Sequence, residues 1–245
     1  MVSEVEIRAA DGTADAYLAA PDEQRHPGVL LLMDAYGLRP TIAEMADRIA
    51  AAGYVVLAPN LFYRAGRSPV QPLPDLADPE QRASFFQSLR PLMEQLTPER
   101  LAADGAAYLD HLTEVSSDGP VALSGYCMGA RVAWRIAVAH PERVAALAGF
   151  HAGGLVTDAP DSPHLSAGQL RAELYFGFAD QDPSMTAEQI ATLERALESH
   201  GVRYRSEVYA GARHGYTMAD TPAFDAAARE RHFRELGALL ERTLG

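Results

Sequence analysis

Short, unbroken apolar runs alternate with helix-patterned segments along nearly the whole chain, and that alternation leaves few architectures open. Residues 28–33, 54–58 and 121–124 are such runs, and 173–178 reads as a further strand. A strand apolar at successive positions is one covered on both faces. Residues 144–150 read as another strand, although their alanines would also suit a helix. Helical spacing fills the intervals at 41–52, stopped by Gly53, at 97–115, with Thr97 as N-cap and Pro98 at the first helical position, and at 128–139. Thr186-Ala187-Glu188-Gln189 reads as a capping box for a helix ending near Gly201. Residues 203–209 alternate as a half-buried strand, 222–244 read as a C-terminal helix, and 4–9 and 14–19 as two strands joined at Asp11-Gly12. The order predicts an α/β fold: a mainly parallel, doubly wound sheet of about seven or eight strands. In such folds ligands sit at the carboxyl ends of the strands, so each loop following a strand is a candidate for the site.

The length, 245 residues, suits one domain spanning 1–245. Residues 64–80, rich in Pro, Gly and Asp, read as a long loop, and no element is assigned between it and residue 97. Composition removes several chemistries. All 21 basic residues are arginine, so Schiff-base catalysis, a lysine-bearing phosphate loop and a kinase site do not apply. The one cysteine, Cys127, permits neither a disulfide framework nor a cysteine-rich zinc site. A net charge of -12 repels polyanions, which argues against nucleic acid as a partner, and an anionic small molecule would need locally placed arginines. No run approaches the ~18 apolar residues of a membrane span, and no basic and apolar leader is visible at the start. The expectation is a cytoplasmic protein, monomeric or homodimeric, with a small-molecule partner. Ligand spacings such as H-E-x-x-H and a dinucleotide G-x-G-x-x-G are absent, so neither a metal nor a cofactor is expected.

The segment Gly125-Tyr126-Cys127-Met128-Gly129 lies directly after the 121–124 strand and directly before a helix. It is the G-x-S-x-G nucleophile elbow with cysteine in the serine position. The sharp turn needs flanking glycines. It sets the thiol at a helix N-terminus, where the dipole favours thiolate, and it aims the Met128 N–H at a developing oxyanion. A buried structural cysteine is the bland alternative, which the strand–turn–helix context disfavours. An acid and then a histidine should follow, each at a strand end. The 173–178 strand runs into Asp180 and Asp182, of which Asp182 has the preferred spacing and Asp180 suits a turn. His214 alone lies after the last strand and before the last helix, whereas His26, His140, His200 and His232 read as solvated residues of helix ends or surface loops.

With these marks, and with Asp34-Ala35-Tyr36-Gly37-Leu38, Gly53-Tyr54 and Ala58-Pro59-Asn60-Leu61, the chain resembles the dienelactone hydrolase family of α/β-hydrolases from Gly28 to the last helix. The resemblance implies a Cys127–His214–Asp182 triad and a second oxyanion N–H on Ala35. Two positions depart from the family. A glutamate that holds the resting thiol is replaced by Asp34, which could keep that role or serve as an Asx turn. Of two arginines that bind the substrate carboxylate, Arg82 matches one, while Met218 stands where the other is expected. Arg82 equally suits a solvated helix residue. Tyr36 and His151 are further pocket candidates, His151 also fitting a structural histidine.

The resulting expectation is hydrolysis of an ester or lactone. Cys127 attacks the carbonyl, Met128 and Ala35 hold the oxyanion, and the acyl-thioester yields to water activated by His214. Thiolate leaves more readily than an amine, so activated esters, enol lactones and thioesters are favoured over peptides. Acyl transfer or cyclisation of a biosynthetic intermediate is the alternative, and a non-catalytic small-molecule binding protein a third reading.

Overall fold

The computed structural model describes residues 1–245 and contains one eight-stranded sheet in the order β1-β2-β4-β3-β5-β6-β7-β8. The strands are β1 (Val2–Ala9), β2 (Gly12–Ala19), β3 (Gly28–Leu32), β4 (Val55–Pro59), β5 (Val121–Tyr126), β6 (Val144–Phe150), β7 (Glu173–Ala179) and β8 (Tyr204–Tyr209). From β3 to β8 every pairing is parallel, while β2 runs antiparallel to both β1 and β4. The central runs are apolar because nothing on either face meets water: every residue of β3, β4 and β5 is buried. The alanine-rich segment 144–150 is a strand, because its small side chains let helices approach both faces of the sheet centre.

Helices α1 (Pro40–Ala50), α2 (Pro79–Glu94), α3 (Pro98–Val115), α4 (Met128–Ala139), α5 (Ala187–Ser199) and α6 (Ala226–Leu244) connect and cover the strands. α4 packs beneath β5 and β6 and against α3, and α6 packs on β6 and β7. α1 and α6 are joined by a bidentate Arg48–Glu230 pair. No helix is long and apolar enough to cross a membrane.

Three features differ from the sequence reading. α2 was not assigned. It begins at Pro79 with the Asp78 carboxylate capping Glu80 and Gln81, and it buries only Phe85 and Leu89, so its apolar stripe is thin. The last helix starts at Ala226 rather than 222, because the Asp225 side chain accepts from the Ala228 N–H and sets the cap there. His232 faces inward from this helix and is not a solvated residue. It lies on the inward stripe with Ala228, Leu236 and Leu240, and it is fully buried. Its Nδ1 faces the Arg229 carbonyl at 2.9 Å, which requires Nδ1–H. Nε2 is then the acceptor for the Tyr126 hydroxyl at 2.9 Å, directly beneath the β5–α4 turn. Burial pushes its pKa down to about 3, so it remains neutral.

The chain leaves β3 towards β4 on one side and later returns through β5 on the other. The loops after β3 and β5 therefore diverge, and the crevice between them is the topological switch point where a ligand fits.

Candidate active site

That crevice opens into a cavity of about 710 Å³ lined, among others, by Asp34, Tyr36, Arg82, Cys127, His151 and His214. Cys127 occupies the turn between β5 and α4 at φ 54 and ψ -115, a conformation costly for a residue with a side chain. Tight neighbours hold it there. A Cβ on Gly125 would lie 2.3 Å from the Gly129 carbonyl oxygen, and one on Gly129 would lie 2.1 Å from that of Leu32. Only glycine fits either place, and the turn pushes the Cys127 thiol into the cavity.

The loops after β7 and β8 supply its partners. His214 Nε2 lies 3.0 Å from Cys127 Sγ, and His214 Nδ1 lies 2.5 Å from Asp182 Oδ2. A carboxylate only accepts, so Nδ1 carries a proton and Nε2 faces sulfur. Burial alone would lower the His214 pKa, but the Cys127 sulfur and the Asp182 carboxylate outweigh it and push it up to about 10. Asp182 is held in turn by Ser184, whose N–H and hydroxyl donate to Oδ1 at 2.8 and 2.7 Å. Asp180 does different work. Its carboxylate accepts from the Gly211 N–H at 2.9 Å and its own N–H donates to the Ala212 carbonyl, so it ties the β7 and β8 loops together.

Met128 is the first residue of α4, where helical N–H groups lack intrahelical acceptors. The Ala35 N–H, in the loop after β3, donates to no protein acceptor. Asp34 does not hold the thiol. Its carboxylate receives Arg39 Nη1 at 2.6 Å and Nη2 at 3.0 Å, and it accepts from the Tyr36 N–H at 3.1 Å as an Asx turn. Being one methylene shorter than glutamate, it is satisfied within its own loop. Arg39 also donates through Nε to Asp220 at 2.6 Å, and this second carboxylate lies in the loop that follows His214. The two carboxylates outweigh burial and hold the Arg39 pKa above its ordinary value. Arg39 side-chain exposure is 2%, so Arg39→Met is expected to strand Asp34 in the interior and lower stability by about 3–5 kcal/mol, measured by urea unfolding. A midpoint equal to wild type would show that this ion triad contributes nothing.

Tyr36 stacks at a tilt on Phe85 of α2, 5.8 Å between ring centroids, at the cavity wall. Arg82 also reaches the cavity from α2, with Nη1 donating to the Leu76 carbonyl at 2.8 Å. His151 lines the cavity and is structural as well. It is fully buried with φ 38, Nε2 lies 2.7 Å from Thr217 Oγ1, its ring meets that of His214 edge-on, and Nδ1 has no partner. Burial drives its pKa well down, so it is neutral beside His214. Met218 is a buried apolar wall residue. The sequence reading overlooked Ser184, Arg39 with Asp220, and Arg131. Of these, Arg131 carried a legible signal, being four residues after Cys127 and hence on the same helical face. No cluster of acidic, histidine or cysteine side chains suited to a metal ion is present.

In sequence and in fold the chain is similar to known proteins. A protein of Escherichia coli strain K12, provisionally named a carboxymethylenebutenolidase, is 28% identical over 224 residues, covering 88% of this chain and 77% of the relative. A crystal structure from Klebsiella pneumoniae, provisionally titled a dienelactone hydrolase, superposes with a TM-score of 0.85 at 18% identity over 99% of this chain and 98% of that one. An esterase of Pyrobaculum calidifontis shares the fold at a TM-score of 0.70 and 15% identity, over 100% of this chain and 86% of that one. The model of the dienelactone hydrolase family matches residues 14–244, and the chain belongs to that family as an α/β-hydrolase of the ester- and lactone-cleaving type.

Proposed function

We propose that this chain, as one α/β-hydrolase domain, hydrolyses an ester or lactone through an acyl-thioester on Cys127. The observation that carries the reading is the unbroken relay from Asp182 to His214 to Cys127, at 2.5 and 3.0 Å, at the wall of the cavity. The thiol proton passes to His214 Nε2, 3.0 Å from Sγ, as Cys127 attacks the carbonyl. A C–S bond forms, and the carbonyl electron pair becomes an oxyanion held by the Met128 and Ala35 N–H groups. Collapse expels the alkoxide, which takes the proton from His214 Nε2 and departs as alcohol. His214, now neutral, removes a proton from water as the water attacks the thioester. The second tetrahedral adduct expels Cys127 thiolate, releases the acid and leaves His214 protonated again. Asp182 holds the ring with Nε2 aimed at sulfur throughout and balances its charge.

The relatives' names support a lactone or activated ester as substrate, and the apolar wall formed by Tyr36, Met128 and Met218 suits an uncharged acyl or alkyl portion. The test is to trap the intermediate. Rapid mixing with a 4-nitrophenyl ester of a hindered acid, which deacylates slowly, is expected to add one acyl mass to the peptide containing Cys127. Turnover without an adduct or a burst of nitrophenol would overturn the covalent route.

A further inference from the structure

α2 carries two apolar stripes, and only one of them holds the helix down. Phe85 and Leu89 are buried and fix α2 to the body, Phe85 against the Tyr36 ring. Arg82, Phe86 and Met93, spaced four and seven residues apart, form a second stripe beside the first, and all three line the cavity. Phe86 stands out among them. It is 46% exposed, and it lies on the wall of the same cavity that holds Cys127. Met93 and the buried Leu76, from the segment before α2, continue its apolar surface. From Phe86 to Met93 this surface runs about 10 Å along the helix. Arg82, one turn towards the N-terminus, is tied through Nη1 to the Leu76 carbonyl. Nearly half of Phe86 is thus left to water inside a cavity of about 710 Å³. Apolar surface so placed is surface that an apolar ligand removes from water.

The topology indicates which part of an ester reaches that surface. In the sheet, β3 lies on one side of β5, while β6, β7 and β8 lie on the other. His214, in the loop after β8, marks the side on which the alkoxide leaves and collects its proton. α2 meets the loop after β3 through Tyr36, on the opposite side. The substituent directed towards α2 is therefore the acyl chain. We propose that Phe86 and Met93, with Leu76, form an acyl-chain subsite, so that the esters cleaved best carry a medium-length, uncharged apolar acyl chain rather than acetyl. Each methylene that moves from water onto this surface favours the bound state by up to about fourfold. Chain length is accordingly the quantity that reads the subsite.

This rests on the hydrolase reading above and deepens it, and the test separates the two. Wild type and Phe86→Ser are compared on 4-nitrophenyl acetate and 4-nitrophenyl hexanoate. In wild type, kcat/KM is expected to be about ten- to a hundredfold higher for the hexanoate. In Phe86→Ser that ratio should fall about three- to tenfold, the share of one half-exposed phenyl, and Phe86→Leu should recover part of it. Gln87→Ser, at the next exposed position and outside the cavity lining, should keep the wild-type ratio. A wild type that prefers the acetate, a ratio unchanged in Phe86→Ser, or an equal fall in Gln87→Ser would overturn the proposal. Independently of turnover, hexanamide is titrated calorimetrically into wild type and Phe86→Ser. Weaker binding in the variant supports the subsite, and equal binding overturns it. If wild type cleaves neither ester, the hydrolase reading fails, and the titration still decides on Phe86.

Discussion

Cys127→Ala is expected to lower kcat/KM on an aryl ester by about 10⁴-fold or more, leaving only what the oxyanion donors and the cavity supply. The size follows from the proposed mechanism, in which Cys127 forms the covalent intermediate. No second nucleophile lies on the relay: the Ser184 hydroxyl is bound to Asp182 and faces His214 Nδ1, on the far side of the ring from sulfur. Removing the thiol also removes the main influence holding the His214 pKa at about 10, so the ring returns towards its ordinary range and the base needed for hydrolysis changes character. Cys127→Ser, with a hydroxyl that does not ionise at neutral pH, should retain only a small residual rate. Thermal unfolding should change little, because Cys127 is only partly buried. Turnover of Cys127→Ala at the wild-type rate would sink the mechanism outright.

Gly129→Ala is expected to cost about 3 kcal/mol or more in stability, a large effect for one methyl group. The added Cβ would stand 2.1 Å from the Leu32 carbonyl oxygen and 2.6 Å from that of Met33. Both are backbone atoms of the sheet centre, so no side chain can rotate away. Either β3 and α4 separate, or the turn bearing Cys127 unwinds. Gly237→Ala is the matched control, since nothing lies within 4 Å of a Cβ there and the residue is inside α6. That substitution should raise stability by roughly 0.5–1 kcal/mol, as alanine does in a helix interior. Urea unfolding midpoints decide it. Equal midpoints for Gly129→Ala and wild type would mean that the elbow is not closely packed.

The architecture was legible wherever burial had left an unmixed pattern. Strands β3 and β4 are apolar throughout, and β5 and β7 nearly so, because both faces are covered, and their order with the helices specifies a parallel sheet. Cys127 and His214 were legible because a strained turn and a post-strand loop leave local signatures. Asp182 could be preferred over Asp180 by spacing, although the bonds that distinguish them come from Ser184 and Gly211, distant in sequence or invisible to pattern. α2 escaped notice because a helix lying over a cavity mouth buries little and carries little periodicity. His232 was misplaced for the opposite reason. A histidine near a chain end suggests solvent, and only the Tyr126 hydroxyl, 106 positions away, explains its burial. Arg39 shows the same limit: its second partner, Asp220, lies 181 positions along the chain.

That last link has a consequence for how such a site can be rebuilt. The segment 34–39 and the segment 214–220 share one guanidinium, so they behave as a single exchangeable module rather than as two independent loops. A chimera that takes only one of them from another protein separates Arg39 from one of its carboxylates and disturbs the loops of Ala35 and His214 together. Loop grafts and recombination libraries on this scaffold should therefore move the two segments as a pair, while α2 meets the first of them through the Tyr36–Phe85 ring contact and is varied with Phe85 kept.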